Sequence, residues 1–360
     1  MKLLDRYILR SVISTLFFSL FALCVIFVVV DLIENLGDFL DHKAETIIIV
    51  EYYINYLPQI IKLLTPVATL LATLFAIGRL SNLNEITAMK SGGMSLYRLI
   101  LPVFVFTCVL SAGQLYFNGW IVPKANTRKA DIDRKFLQRG NTPGTVYNLY
   151  FRESPLRNVI MQYYDPTAKT GTQVVIEKYS SEMHPRLLQR IDAQRITWDT
   201  ARNVWRLFNC SIRSVTPEGS NFAVQSEDTL SLAVSHEEIV ELQRSPDQMN
   251  FNETRNYLAI LEKGGKNIRT QLIDYYGQWA FPFANVIVAL FAVPFASVRK
   301  KSGLAMEMAV AMATAFMYLI FTKVGQTLGS TLDVNAEIVG WAPNIIFFII
   351  ALFIIVRAGK

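Results

Sequence analysis

Six apolar stretches, each long enough to cross a membrane as a helix, constrain the fold of this chain more than any other feature. They lie at residues 12–34, 57–78, 99–122, 275–297, 304–325 and 337–356. A hydrocarbon core of about 30 Å needs about 20 mostly apolar residues to cross it as a helix. Residues 123–270 separate the third stretch from the fourth, have an ordinary polar composition and are numerous enough to bury a core of their own. The chain is therefore predicted to be an α-helical membrane protein with three spans, a soluble insert and three more spans.

The charges of the short loops predict how the spans are oriented. Basic residues cluster at both termini and in two loops: Lys2, Arg6, Arg10, Arg79, Lys90, Arg98, Arg299, Lys300, Lys301, Arg357 and Lys360. The loops on the opposite side are acidic, since residues 31–51 hold six Asp or Glu and one Lys. Lys and Arg accumulate in short cytoplasmic loops. Both termini are therefore predicted to be cytoplasmic, and the insert at 123–270 is predicted to lie outside.

The insert changes from a helical to a strand pattern. Residues 123–139 read as a polar helix that continues the third span, and helix resumes at 236–264. Short runs rich in Val, Ile, Tyr and Trp lie between turn signals at 145–152, 158–164, 173–179, 190–198 and 204–215. Short strands at this spacing are typical of a β-sandwich or jelly roll.

The predicted domain organisation follows from these patterns. Residues 1–122 form three spans, 123–270 form an all-β, jelly-roll-like domain with flanking helices, and 271–360 form three more spans.

Several classes of function are not favoured by the sequence. It contains neither a G-x-x-x-x-G-K-S/T phosphate loop nor a G-x-S-x-G nucleophile motif. The three histidines, His42, His184 and His236, are scattered without ligand spacing, so neither a metal nor another cofactor is expected. The insert carries 21 Lys or Arg against 17 Asp or Glu, a mixed surface that does not favour nucleic acid. We expect this chain not to be an enzyme and to depend on another protein for energy.

The loop between the second and third spans has the most informative local pattern. Ser81 or Asn82 can cap a short helix over 82–92, and Gly92 can end it. The apolar face of this helix consists of Leu83, Ile86 and Met89. Glu85 lies one turn from the last of these residues. Such a helix either docks into a groove on a partner protein or lies in the lipid headgroups, and the spacing does not decide between them.

The same loop resembles a known family. The pattern G-x-L-x-x-x-x-E-I-x-x-M-x-x-x-G-x-S, from Gly78 to Ser95, is similar to the coupling helix of the lipopolysaccharide export permeases, the LptF/LptG (YjgP/YjgQ) family. The segments Leu4–Ile8 and Gly119–Pro123 also look like that family, and the first favours its LptG branch. The resemblance extends over the whole chain.

The resemblance implies a multi-pass permease of the cell inner membrane with a periplasmic jelly roll. It would extract lipopolysaccharide from the outer leaflet and pass it through the jelly roll toward the outer membrane. The implied partners are a dimeric cytoplasmic ABC-type ATPase, a second related permease, a periplasmic bridge protein and a membrane-anchored LptC-like protein. ATP would be bound by the ATPase. The residues of this chain that would couple to it are Arg79, Leu83, Glu85, Ile86 and Met89.

Three basic residues near the outer leaflet are candidates for binding lipid phosphates: Lys62, Arg128 and Lys323. Lys62 and Lys323 fall inside predicted spans, where charged groups are costly and often functional. An ammonium group pairs with phosphate, but a lysine also snorkels to the interface as an anchor. Arg128 lies just outside the third span, where a solvated helix face is the alternative. The competing function is a scaffold that transmits force from an ATPase without moving a lipid.

Overall fold

The computed structural model describes residues 3–137, 146–181, 185–216, 219–230, 232, 235–241, 244–263, 266–297, 303–331 and 334–358. The chain divides into two compact units. A helical unit comprises Met1–Ile132 and Arg269–Lys360, and the insert unit comprises Asp133–Ile268.

Eleven α-helices are found among the described residues. In chain order they are α1 (Leu3–Asp41), α2 (Thr46–Asn82), α3 (Glu85–Ser91), α4 (Leu96–Tyr116), α5 (Val122–Phe136), α6 (His236–Glu241), α7 (Phe251–Lys263), α8 (Arg269–Ala280), α9 (Ala284–Ala296), α10 (Gly303–Thr331) and α11 (Ala336–Ala358). A π-helical turn at Phe117–Ile121 joins α4 to α5, and a 3₁₀ turn at Phe281–Phe283 joins α8 to α9. A second 3₁₀ turn, at Pro246–Gln248, precedes α7.

Among the described residues, five continuous helical segments are long and apolar enough to cross a membrane. They are Leu3–Asp41, Thr46–Asn82, Leu96–Phe136, Arg269–Ala296 and Ala336–Arg357. Each of these segments overlaps one of the six predicted spans, and most extend well beyond it. The remaining prediction, 304–325, falls within the 29-residue helix α10, of which several side chains lie outside the described residues. The sixth span therefore stays a prediction.

The helix α9 lies at the centre of the helical unit. Every residue of α9 except Phe295 is buried. Its neighbours are α2, α4 and α11. A helix that is apolar on all sides is covered either by other helices or by lipid, and α9 is covered by other helices. By contrast, α1 leaves large apolar side chains exposed along most of its length, including Phe17, Phe21 and Ile26.

The insert unit is built on one six-stranded antiparallel sheet. Its strands are β1 (Val146–Ser154), β2 (Arg157–Asp165), β3 (Thr170–Tyr179), β4 (Leu187–Asp199), β5 (Val204–Thr216) and β6 (Gly219–Leu230). They pair in sequence order, β1 to β6. A jelly roll needs Greek-key crossovers between two sheets. The described strands form a meander instead, because tight turns such as Ser154–Arg157 pair each strand with the next. The jelly-roll prediction is wrong for these strands.

One face of the sheet carries the core of the insert unit. Trp205, Leu207, Val159 and Ile196 are completely buried there. Ile239 of α6 belongs to the same cluster. Alternate residues of β2 to β5 point into this core, as the period-2 pattern of their sequences predicts. Nearly all of β6 is exposed.

A buried pair of side chains joins α6 to the sheet. The Tyr164 hydroxyl lies 2.5 Å from Nδ1 of His236. Burial lowers the pKa of His236, Lys169 lowers it further, and Glu237 acts in the opposite direction. Burial also raises the pKa of Tyr164. At neutral pH both groups are therefore uncharged, and Nδ1 of the neutral imidazole accepts a hydrogen bond from the Tyr164 hydroxyl.

Candidate functional site

The short helix α3 begins later than predicted. Helix α2 continues through Asn82, and the chain then turns at Asn84, whose φ of 60° is a left-handed conformation that Asn tolerates. The prediction that Ser81 or Asn82 caps the helix is wrong, because both residues belong to α2 and α3 starts at Glu85. Gly92 follows the last residue of α3, where the sequence predicts the end.

One apolar side chain anchors α3 in the helical unit. Ile86 is 2% exposed and belongs to the same buried cluster as Leu80 of α2 and Leu99 of α4. Met89 lines a narrow pocket together with Ile86 and Leu99. Leu83 does not share the helical face predicted for it, because it lies in the turn before α3, where it is 58% exposed.

Polar side chains connect α1 to the same end of the unit. The Tyr7 hydroxyl donates a hydrogen bond to Oε1 of Glu85 at 3.3 Å. Asp5 is buried and accepts a hydrogen bond from Nη2 of Arg98 at 2.8 Å. Arg79, in the last turn of α2, is exposed. The first turns of α1 and α4 and the end of α2 thus meet around α3.

The three residues predicted to bind substrate lie on three different helices. Lys62 is half-buried on α2. Arg128 on α5 donates to Glu51 of α2 at 2.6 Å, so an acidic partner within the chain already engages its guanidinium group. Lys323 is exposed on α10 and interacts electrostatically with Asp274 of α8. Two of the three candidate cations therefore have acidic neighbours within the chain.

A cation–π contact lies beside the Arg128 pair. Nζ of Lys129 is 5.1 Å from the ring centroid of Tyr52 and 4.8 Å from that of Tyr56. Such contacts stabilise an ammonium group over an aromatic face. Arg128 and Lys129 together hold the middle of α5 against α2.

A buried polar loop in the interior of the helical unit was missed by the sequence analysis. Gln114 of α4 donates to the carbonyl of Lys62 at 3.0 Å and accepts from Nδ2 of Asn285 at 2.5 Å. Thr69 of α2 donates to Oδ1 of Asn285 at 3.4 Å. Single polar residues in apolar spans form no recognisable pattern. The available signal was Pro66, because a proline inside a helix leaves the carbonyl four residues earlier without its usual donor.

The described residues contain no group of three or more His, Cys, Asp or Glu side chains that could hold a metal ion. Cys24, Cys108 and Cys210 are free thiols, and Cys24 and Cys210 are buried.

Known proteins match this sequence along nearly the whole chain. The family model described as "Lipopolysaccharide export system permease LptF/LptG" matches residues 6–357. The chain is 18% identical to the lipopolysaccharide export system permease protein LptG of Escherichia coli (strain K12), over 98% of both chains. It is also 18% identical to the protein of that name from Haemophilus influenzae, again over 98% of both chains.

Proposed function

The chain belongs to the LptF/LptG family of lipopolysaccharide export system permeases, and we propose that it transports lipopolysaccharide as the permease subunit of an ABC-type exporter. ATP is hydrolysed on a separate, dimeric cytoplasmic ATPase, and a second related permease completes the membrane part. The lipid leaves the outer leaflet of the inner membrane. It then passes by way of the insert toward a periplasmic bridge protein, with a membrane-anchored LptC-like protein as a further partner.

The observation that carries this proposal is the anchoring of α3. A helix that receives force from a partner needs one side fixed to the moving body and another side accessible. Ile86 is buried among residues of α2 and α4, whereas Arg79 and Leu83 are exposed at the start of the same segment. Glu85 and Met89 are half-buried between these two sides. This arrangement favours docking to a protein over a cap that lies loosely in the headgroups.

The mechanism that we propose is mechanical. Closure of the ATPase dimer displaces α3, and α2 and α4 carry the displacement into the membrane. A cavity shared with the second permease then narrows and expels the lipid. Lys62 and Lys323 hold its phosphates, since each cation lies toward the external end of its predicted span. Arg128 is the weaker candidate for this role, because Glu51 competes for its guanidinium group.

The coupling role is tested with Glu85→Ala and Glu85→Arg in the complete complex. We expect both variants to lose co-purification of the ATPase and lipopolysaccharide export, and the charge reversal to be the more severe. Glu262→Arg is the matched control, because Glu262 is an exposed helical glutamate of the insert unit. Undiminished ATPase binding and export in both Glu85 variants would remove the coupling assignment.

A lipid transporter is distinguished from a force-transmitting scaffold by Lys62→Ala. A scaffold is indifferent to this change, whereas a transporter loses lipopolysaccharide crosslinking at α2. Lys124→Ala is the control, because Lys124 is an exposed lysine of α5. Equal crosslinking in the wild type and Lys62→Ala would favour the scaffold.

A further inference from the structure

Pro66 leaves one backbone carbonyl of α2 without its usual hydrogen-bond donor, and a side chain of another helix supplies a donor instead. Pro66 has no N–H group, so the carbonyl of Lys62 lacks its usual donor within α2. Water is excluded from a hydrocarbon core, so a carbonyl there needs a donor from the protein. Nε2 of Gln114 on α4 is that donor, at 3.0 Å. Gln114 is itself only 6% exposed.

The oxygen atom of the Gln114 amide connects α4 to a third helix, α9. Oε1 of Gln114 accepts from Nδ2 of Asn285 at the start of α9, at 2.5 Å. Oδ1 of Asn285 accepts a long hydrogen bond, 3.4 Å, from Thr69 of α2, whose hydroxyl also donates to the Thr65 carbonyl at 2.8 Å. Asn285 is completely buried, and Thr69 is 1% exposed. These hydrogen bonds close a loop through α2, α4 and α9.

A second carbonyl reinforces the loop at the 3₁₀ turn between α8 and α9. The carbonyl of Pro282 accepts from Ser111 of α4 at 2.7 Å and from Asn285 at 2.9 Å. Gln114 and Asn285 therefore use both ends of their amide groups within the loop. A buried hydrogen-bond network favours one arrangement of its helices, because sliding leaves polar groups unpaired in a low-dielectric interior.

We propose that Gln114 is a positioning residue that makes α2, α4 and α9 move as one body when α3 is displaced. The inference rests on the proposed function and extends it to the fourth predicted span. A displacement of α3 reaches α2 through the covalent chain that joins them. The hydrogen bonds of Gln114 and Asn285 then transmit it to α4 and α9. The simpler alternative is that Gln114 only satisfies the carbonyl opened by Pro66.

Two substitutions separate these explanations. Asn285→Leu removes the hydrogen bond that joins Gln114 to α9 and leaves the hydrogen bond from Gln114 to Lys62 in place. Gln114→Leu cuts both, and adding Pro66→Ala restores an N–H that bonds the Lys62 carbonyl within α2. If Gln114 only repairs the helix, Asn285→Leu is silent and Pro66→Ala rescues Gln114→Leu completely.

The measurement is the number of lipopolysaccharide molecules released per ATP hydrolysed by the complete exporter in proteoliposomes. We expect this ratio to fall at least tenfold in Asn285→Leu and in the Pro66→Ala/Gln114→Leu double variant, while ATP hydrolysis continues. Pro66→Ala alone is expected to keep the wild-type ratio. Should Gln114→Leu fail to fold, Asn285→Leu and the double variant still give the result.

A matched control is available in the same unit. Asn344 of α11 is also buried and bonds the Ala280 carbonyl and the Tyr318 hydroxyl, outside the loop. Asn344→Leu is expected to keep the wild-type ratio. An equal loss in Asn344→Leu, or a wild-type ratio in Asn285→Leu, overturns the inference. If the wild-type complex hydrolyses ATP without releasing lipid, the proposed function fails, and with it the coupling that this inference extends.

Discussion

The ion pair between Asp5 and Arg98 provides the most direct test of how the end of the helical unit around α3 is held together. The side chain of Asp5 is 9% exposed and that of Arg98 is 32% exposed, with 2.8 Å between the charged atoms. Removing one partner of a buried pair costs about 3–5 kcal/mol, because the remaining charge stays desolvated. Since Arg98 is partly solvated, we expect Arg98→Leu to destabilise the unit by about 3 kcal/mol. This corresponds to a change of about a hundredfold in the folding equilibrium.

The matched control is the double variant Asp5→Leu/Arg98→Leu. Replacing both members of a buried pair by apolar residues is often close to neutral, so we expect a net change within about 1 kcal/mol of wild type. The assay is equilibrium unfolding in mixed detergent micelles, followed by tryptophan fluorescence. A loss below about 1 kcal/mol in Arg98→Leu would mean that solvent screens the pair. A double variant as unstable as the single one would refute the role of the charge itself.

Three further changes test other parts of the molecule. In Gly171→Ala the new Cβ would come within 2.8 Å of both Ile196 and Met161, so we expect the insert unit to lose about 1–3 kcal/mol in thermal unfolding. In Asn118→Leu, a buried amide with no hydrogen-bond partner among the described residues is removed, so we expect the helical unit to gain stability in detergent unfolding, by up to about 1–3 kcal/mol. The pKa of His236 is lowered in the folded state, so acid favours the unfolded state. As pH falls below about 6.5, hydrogen exchange of the sheet amides, corrected for its intrinsic pH dependence, should accelerate in wild type and much less in His236→Gln.

The apolar spans were predictable because a membrane imposes a length and a composition that local sequence reveals. The strands β1 to β5 were predictable because a half-buried strand also has a characteristic composition. Their sequences are rich in Val, Ile, Tyr and Trp, and several alternate apolar with polar residues. The strand β6 (Gly219–Leu230) was not among the predicted runs. It is polar and nearly all exposed, so its sequence has no buried face to reveal. Its strand conformation depends on pairing with β5.

The start of α3 and the sheet topology were not predictable from local patterns. Ser81 and Asn82 are good capping residues, yet Ser81 is 3% exposed and packing keeps it within α2. The number of short strands fits both a jelly roll and a meander, and only the order of pairing distinguishes them. The role of Gln114 depends on a carbonyl 52 residues away along the chain, so no local pattern contains it.

The contacts between α2 and α4 determine which motion the two helices can make together. Ile86 of α3 joins Leu80 of α2 and Leu99 of α4 in one buried cluster. A further connection, distant from this cluster, is the hydrogen bond from Gln114 to the carbonyl of Lys62. These points are about 27 Å apart along α2 and about 22 Å apart along α4, at 1.5 Å per residue. Connections this far apart oppose both pivoting and sliding of one helix against the other. We therefore expect a displacement of α3 to tilt α2 and α4 together.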